Sequence, residues 1–351
     1  MQRIFAADIG GTNARFALFT VYEGNLTLMS AVWAKSADLG NAHNVLQAMQ
    51  QLLQSSFSAG DSLVIALAGP VSGLRGKLTN GQLRVDLDGI AQQYNLACCL
   101  LLNDFSAQAF ATLTPCGAAA ALVRSSTRFI DESRETRAVL GAGTGLGAAM
   151  LVRSGDPDPA GSWVAVPSEA GHTAFAFVGP EEQAYQAFLA RELGRDYPTA
   201  ENVLSGEGLS VLHYYLSGQF FYPPAVGAEA LSHETPTLLW YARFWGRFCR
   251  QWILTTLCRG GLWIAGGIAA KNPLCLTHPA FMQELGLVPD IGGIAASAPI
   301  YLVTDGNSGL WGAACAAVEH LSCRGPRAEK NDEASTALRT DAIWGYALTL
   351  F

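Results

Sequence analysis

Two glycine turns and a handful of polar residues at strand ends carry most of the chemistry legible in this chain. Asp8-Ile9-Gly10-Gly11-Thr12-Asn13 and Gly141-Ala142-Gly143-Thr144-Gly145-Leu146-Gly147 each lie between short apolar runs. Glycine lets a backbone take up positive φ and approach a ligand closely. Successive N–H groups in such turns form concavities that hold phosphate oxygens, and the Thr12 and Thr144 hydroxyls add donors. Neither turn is a P-loop, because no Gly-Lys-Ser/Thr follows. The second runs into a strand-like apolar stretch instead of a helix, which argues against a dinucleotide site.

Acids sit where they can work with these turns. Asp8 ends the first apolar run, a position suited to Mg²⁺ held by one or two carboxylates, waters and phosphates, and equally to capping a turn. Arg15 follows, either to steer phosphates or to form an ion pair. Asn103-Asp104 ends the apolar run Cys98 to Leu102. An aspartate there can take a proton from a hydroxyl nucleophile, with Asn103 fixing a second hydroxyl, or it can cap the helix that follows. Glu169-Ala170-Gly171-His172 can share a small polyol or serve structure. As a metal pair it lacks a third ligand at suitable spacing. Glu201 reads as a polar contact or a solvated helix-end acid, and Thr79-Asn80 and Gly69-Pro70 read first as turns.

The elements that must position these residues follow from hydrophobic periodicity. Strand, turn and strand are predicted over Arg3 to Thr20, a third strand near Thr27 to Ala34, and a helix over Asn44 to Ser55. Strands follow at Leu63 to Ala68 and Cys98 to Leu102, then a helix from Ser106 to Leu113. The pattern restarts with Arg137 to Leu140, the second glycine turn, and Ala148 to Arg153, a repeat of pattern only. Helices are expected over Glu181 to Leu193, Leu238 to Leu257 and Gly309 to His320, and strands at Leu262 to Ala265, ended by Gly266-Gly267, and Ile300 to Val303. Ser322 to Thr340 is polar, and the apolar segment from Ala342 is suited to docking back on the body.

The bulk composition narrows the class. A chain of 351 residues, half of them hydrophobic and 15% charged, suggests two domains of roughly 150 residues each. A net charge of -7 without a dense basic run disfavours a nucleic-acid partner. No run reaches the roughly 18 apolar residues that a membrane helix needs, and Asp8 interrupts the start before a signal peptide forms. Eight scattered cysteines without a C-x-x-C pair read as thiols in a reducing compartment. The chain is expected to be cytoplasmic.

Taken in order, Asp8-Ile-Gly-Gly-Thr-Asn-Ala-Arg15, Leu78-Thr-Asn80, Leu102-Asn-Asp-Phe105, Gly141-Ala-Gly-Thr-Gly-Leu-Gly147, Glu169-Ala-Gly-His172, Glu201-Asn-Val-Leu-Ser-Gly206 and Ile264-Ala-Gly-Gly-Ile268 resemble the bacterial ATP-dependent glucokinase family. That family lies within the actin-like, hexokinase and heat-shock-chaperone ATPase superfamily. The resemblance implies two actin-like, ribonuclease-H-like α/β domains flanking a cleft. They would span residues 1–112 with 304–320, and 113–303, leaving a tail at 321–351. It implies ATP and Mg²⁺ as cofactors, a hexose as partner and a homodimer. Asp104 would be the base for the C6 hydroxyl, with Asn80, Asn103, Glu169, His172 and Glu201 around the sugar. Gly10, Gly11, Thr12, Asn13, Gly143, Thr144 and Gly145 would hold phosphates, Gly266 and Gly267 would lie near adenosine, and Asp8 would act on Mg²⁺ through water. The chain departs from the family pattern at Leu83, where tryptophan is usual, and at Ala170, where glycine is usual. The zinc cluster and helix-turn-helix of the related repressor–kinase family are absent.

Overall fold

The computed structural model describes residues 2–126, 135–154, 162–288, 293 and 298–323. Eight strands come first: β1 Gln2–Ile9, β2 Asn13–Tyr22, β3 Asn25–Lys35, β4 Ser62–Leu67, β5 Val71–Ser72, β6 Arg75–Lys77, β7 Arg84–Asp86 and β8 Cys98–Asn103. Six more follow: β9 Ala121–Arg124, β10 Arg137–Ala142, β11 Leu146–Arg153, β12 Trp163–Ser168, β13 Gly261–Ala265 and β14 Ile300–Leu302. The first sheet has the order β3-β2-β1-β4-β8 and the second β12-β11-β10-β13-β14-β9, while β5-β6-β7 form a small third sheet. Without β9, the second sheet repeats the order of the first, so the repeated strand–turn–strand pattern is a repeat of topology.

Each large sheet joins an antiparallel hairpin to parallel strands. β1 pairs with β2 antiparallel and with β4 parallel, and β4 with β8 parallel. β10 does the same with β11 and β13. Parallel strands buried on both faces read as continuous apolar runs, and β4 is buried along its whole length. The strand ends matter most for function. Ile9 pairs with Leu67 and Leu67 with Asn103, while Gly141 pairs with Ala265. The polar residues and glycines after these positions therefore gather at the carboxyl edges of parallel strands, where open α/β sheets bind ligands.

Two helices join the halves. Asp104–Ala111 and Ser308–Cys323 pack on each other. They share a core with the second sheet in which Phe110, Cys315 and Ala316 meet Val139, Leu151 and Trp263. Their close approach requires Gly312, where a Cβ would lie 1.7 Å from the Ala107 carbonyl oxygen. The other face of the Ser308 helix packs Leu310, Ala313, Ala314 and Ala317 on Ile4, Ala6 and Val64 of the first sheet.

Helices Gly179–Leu193, Pro236–Thr256 and Pro279–Gly286 cover the second sheet around a buried ion cluster. Arg247, 1% exposed, bonds Glu182 and Glu284 and donates to the Ala176 carbonyl at 2.9 Å. A buried guanidinium needs such partners.

The last described helix runs to Cys323, because Leu321 still packs on the first-sheet core. The rest of the expected tail lies outside the described residues. Among the described residues no cysteine is in a disulfide, and no helix is long and apolar enough to cross a membrane.

Candidate active site

The carboxyl edges of the two large sheets line one cleft of about 370 Å³. On one side, the first glycine turn is tied down through its carbonyls. The Gly10 N–H donates to the Asn13 carbonyl at 3.0 Å and the Ser36 N–H to that of Thr12 at 3.1 Å. The Ser36 hydroxyl donates to the Gly10 carbonyl at 2.6 Å. Across the cleft, the Gly143 N–H donates to the Gly145 carbonyl at 2.9 Å and the Gly206 N–H to that of Gly143 at 3.0 Å. The N–H groups of Gly11, Thr12, Thr144 and Gly145 have no protein acceptor among the described residues. With their carbonyls held, both turns present free amides, the requirement for an anion nest.

Asp104 stands at the meeting point of the sheets. Its helix begins two residues earlier than periodicity predicted, because Asn103 is the cap: its Oδ1 accepts from the Phe105 N–H at 2.9 Å and the Ser106 N–H at 3.3 Å. The capping alternative for Asp104 is thereby filled by its neighbour. Asn103 Nδ2 donates to the Gly69 carbonyl at 3.2 Å, which leaves one amide hydrogen for a ligand. The Asp104 carboxyl has its pKa pushed up to about 7. Burial is the main cause and the Asp8 charge the next, with Glu169 adding less and the N–H groups of Phe105 and Asp104 opposing. An acid so placed titrates near neutral pH, as a general base should.

Asp8 is buried at the end of β1, and burial raises its pKa against the opposing pull of Arg15. Arg15 Nη1 lies 3.0 Å from Asp8 Oδ2, and the guanidinium stacks 4.3 Å over the Trp33 ring. Of the two roles weighed for Arg15, the ion pair is therefore made. Gly309, near the start of the Ser308 helix, lies against the same carboxylate; a Cβ there would sit 2.5 Å from Asp8 Oδ2.

The opposite wall carries the polar cluster. Glu169 and His172 are exposed and 3.6 Å apart. Glu201 is not a solvated acid, since its Oε2 accepts from the Leu146 N–H at 2.9 Å and so braces the second glycine turn. These residues share one support. The segment after His172 pairs with the start of the Glu201 helix, Phe175 N–H to Pro198 carbonyl at 3.1 Å and Ala200 N–H to Thr173 carbonyl at 2.9 Å.

Of the residues singled out from sequence, Asp8, Gly10, Gly11, Arg15, Gly69, Thr79, Asn80, Asn103, Asp104, Gly143, Thr144, Gly145, Glu169, His172, Glu201 and Gly266 line the cleft. Thr12, Asn13 and Gly267 do not, although Thr12 and Gly267 each follow a lining residue. Missed were Phe105, Gln108 and Ser168. Gln108 was findable, because it lies one turn after Asp104 on the same helix face. Ser168 is a polar residue at a strand end, the signal that found Asp104. Phe105 stood in the Leu102-Asn-Asp-Phe105 motif without a role of its own: it fills the space above Gly141 and Gly147, where added Cβ atoms would lie 2.9 and 1.9 Å from its ring.

The family model described as Glucokinase matches residues 5–320. The chain belongs to the glucokinase family. The glucokinase of Caulobacter vibrioides is 30% identical over 326 residues, covering 88% of this chain and 93% of that one. That of Neisseria meningitidis serogroup C is 30% identical over 325 residues, covering 90% and 94%. Among solved structures, glucokinase from an Antarctic psychrotroph aligns with a TM-score of 0.75 at 25% identity, over 90% of this chain and 99% of that one. A ROK family glucokinase from Streptomyces griseus, in complex with glucose and AMPPNP, shares the fold at 17% identity and a TM-score of 0.56, over 90% and 99%. The two-domain actin-like α/β fold implied by the sequence motifs is the fold of this family.

Proposed function

We propose that this chain transfers the γ-phosphoryl group of ATP to the C6 hydroxyl of D-glucose, releasing glucose 6-phosphate and ADP. The observation that carries this reading is the Asp104 carboxyl in the cleft, held near neutral pKa, with the two glycine turns lining the same cleft from its two sides. Phosphoryl transfer asks a protein mainly for alignment, charge neutralisation and a base. In this reading Asp104 accepts the C6 proton. The remaining Asn103 amide hydrogen, Asn80, Glu169, His172 and Glu201 orient the other hydroxyls, and the free amides of the two turns hold phosphate oxygens.

The residues present also suit Mg²⁺. Asp8 is buried and Asp104 half-buried, and their charges oppose each other, a site that a cation relieves. Asp8, anchored by Arg15, would hold the ion through water, and when bound it neutralises the phosphate oxygens. Closure of the two halves, residues 1–112 with 304–320 against 113–303, would exclude water as a competing nucleophile. A cytoplasmic setting and entry of the product into sugar breakdown belong to the same reading.

A coupled ADP-release assay over a panel of hexoses tests it. ADP release should depend on hexose and be fastest with glucose. Release at the same rate without any sugar would refute the transferase reading in favour of a plain ATPase.

A further inference from the structure

Behind the cleft wall lies a second cavity, about 460 Å³, on the small sheet β5-β6-β7. Pro70, Val71 and Val85 give it apolar walls, and Arg75, Lys77 and Arg84 supply charge. Across the β6–β7 ladder, Arg75 faces Asp86 and Lys77 faces Arg84. The first rung is neutralised, with Arg75 Nε 3.1 Å from Asp86 Oδ2 and its Nη2 2.5 Å from Asp88 Oδ2. The second is not: among the described residues no acid pairs with Lys77 or Arg84. Like charges directly opposite in an antiparallel pair repel. Both side chains are exposed and line the cavity, so an anion seated between them would relieve the repulsion.

The same rung stands at the base of a loop that reaches the cleft. Lys77 and Arg84 are the last pair before the loop that runs from Leu78 to Leu83, closed by the Leu78 N–H donating to the Leu83 carbonyl at 3.0 Å. That loop carries Thr79 and Asn80 into the active cleft. The two cavities also share a wall. A Cβ on the cleft-lining Gly69 would lie 2.2 Å from the Lys77 carbonyl oxygen, and the Lys77 N–H donates to the Pro70 carbonyl at 3.3 Å.

We propose that the cavity takes a small phosphate monoester, its dianion between Lys77 and Arg84 and its carbon body on Pro70 and Val71. A cavity of this size suits a small organic ligand better than a free phosphate ion. Bound there, the dianion draws the base of the hairpin together and steadies Asn80 in the cleft. This coupling rests on the hexose-kinase reading above; the binding itself does not.

The test uses the full chain with glucose and AMPPNP present to fill the cleft, titrated calorimetrically with glucose 6-phosphate and, separately, inorganic phosphate. The ester should bind wild type, and inorganic phosphate more weakly. Lys77→Gln with Arg84→Gln should weaken ester binding at least about tenfold, given the weight of hydrogen bonds to charged groups. Lys77→Glu should abolish it and raise Tm, because the rung becomes an ion pair. Phosphate binding as tight as ester binding would overturn the ligand class, and equal ester affinity in all three proteins would overturn the site. In steady-state assays at trace product, a non-reacting ester should lower the KM for glucose by about fivefold, the low end of inter-site coupling, in wild type and not in Lys77→Glu. An unchanged KM would overturn the coupling. The titration needs no turnover, so a failure of the kinase reading appears separately, in the ADP assay.

Discussion

Replacing Asp104 by asparagine keeps the side-chain shape and removes its charge and basicity, so stability and rate should move in opposite directions. The carboxyl holds its proton more tightly in the folded protein than in the unfolded chain, with a pKa of about 7 against 3.8. Below pH 3.8 it is neutral in both states and costs nothing. Between 3.8 and about 7 the unfolded chain releases the proton first, so the folded state loses stability as pH rises through that window. Above it the whole cost is present. The gap of roughly 3 pH units is worth about 4 kcal/mol at ~1.36 kcal/mol each. Because the side chain opens on a solvent-filled cleft, about half of that is the working figure.

Asp104→Asn should therefore be about 2 kcal/mol more stable than wild type at pH 8, a Tm gain of roughly 4–8 °C, and no more stable at pH 4. Its kcat should fall about 10²–10⁴-fold, the usual weight of a general base, while glucose still binds. Wild-type kcat/KM should climb with pH and level off above about 7. Thermal melts at the two pH values and the ADP assay decide the matter. A variant that is less stable at pH 8, or one that keeps kcat within tenfold of wild type, would show that burial and chemistry do not meet at this carboxyl.

Gly147→Ala places a Cβ 1.9 Å from the Phe105 ring; urea melts should show a loss of about 1–3 kcal/mol from overpacking, with kcat falling because Asp104 moves with its neighbour. Glu201→Ala leaves the Leu146 N–H without its acceptor, at about 1–3 kcal/mol. The KM for ATP should rise as the second turn loosens, and Glu201→Gln, which keeps an acceptor, should restore it. Arg247→Met strands the buried Glu182 and Glu284. Thermal melts should show a loss of about 3–5 kcal/mol, partly recovered by adding Glu182→Gln and Glu284→Gln.

The parts of the fold legible in sequence are those whose residues act on near neighbours. β4 and β13 announce themselves as unbroken apolar runs, and each ends in a turn residue that periodicity alone locates. β5, β6 and β7 left no such signal. They are two or three residues long, and within β6 and β7 Arg75, Lys77, Arg84 and Asp86 outnumber the buried Val85. The candidate site divides the same way. Asp104 was readable because a polar residue closes an apolar strand. The bracing role of Glu201 was not, since its partner Leu146 is 55 residues away, and neither was the need for glycine at 147, which only the approach of Phe105 creates.

Where Asp104 sits bears on how such a cleft can close. Its helix is tied to the first sheet through Asn103 and the Gly69 carbonyl. It is wedged on the second through Phe105 against Gly141 and Gly147, and clamped from behind by Gly312 of the Ser308 helix. A side chain held from three directions lies on the line where the halves meet, not on either wall. When walls rotate about such a line, groups on it keep their distances to both glycine turns, while groups far from it travel. Asn80 at its hairpin tip, and Glu169 and His172 on the opposite wall, are exposed residues of the cleft and lie on separate supports. In the proposed reaction a sugar that touches both walls would draw them together, with the base already in place when they arrive.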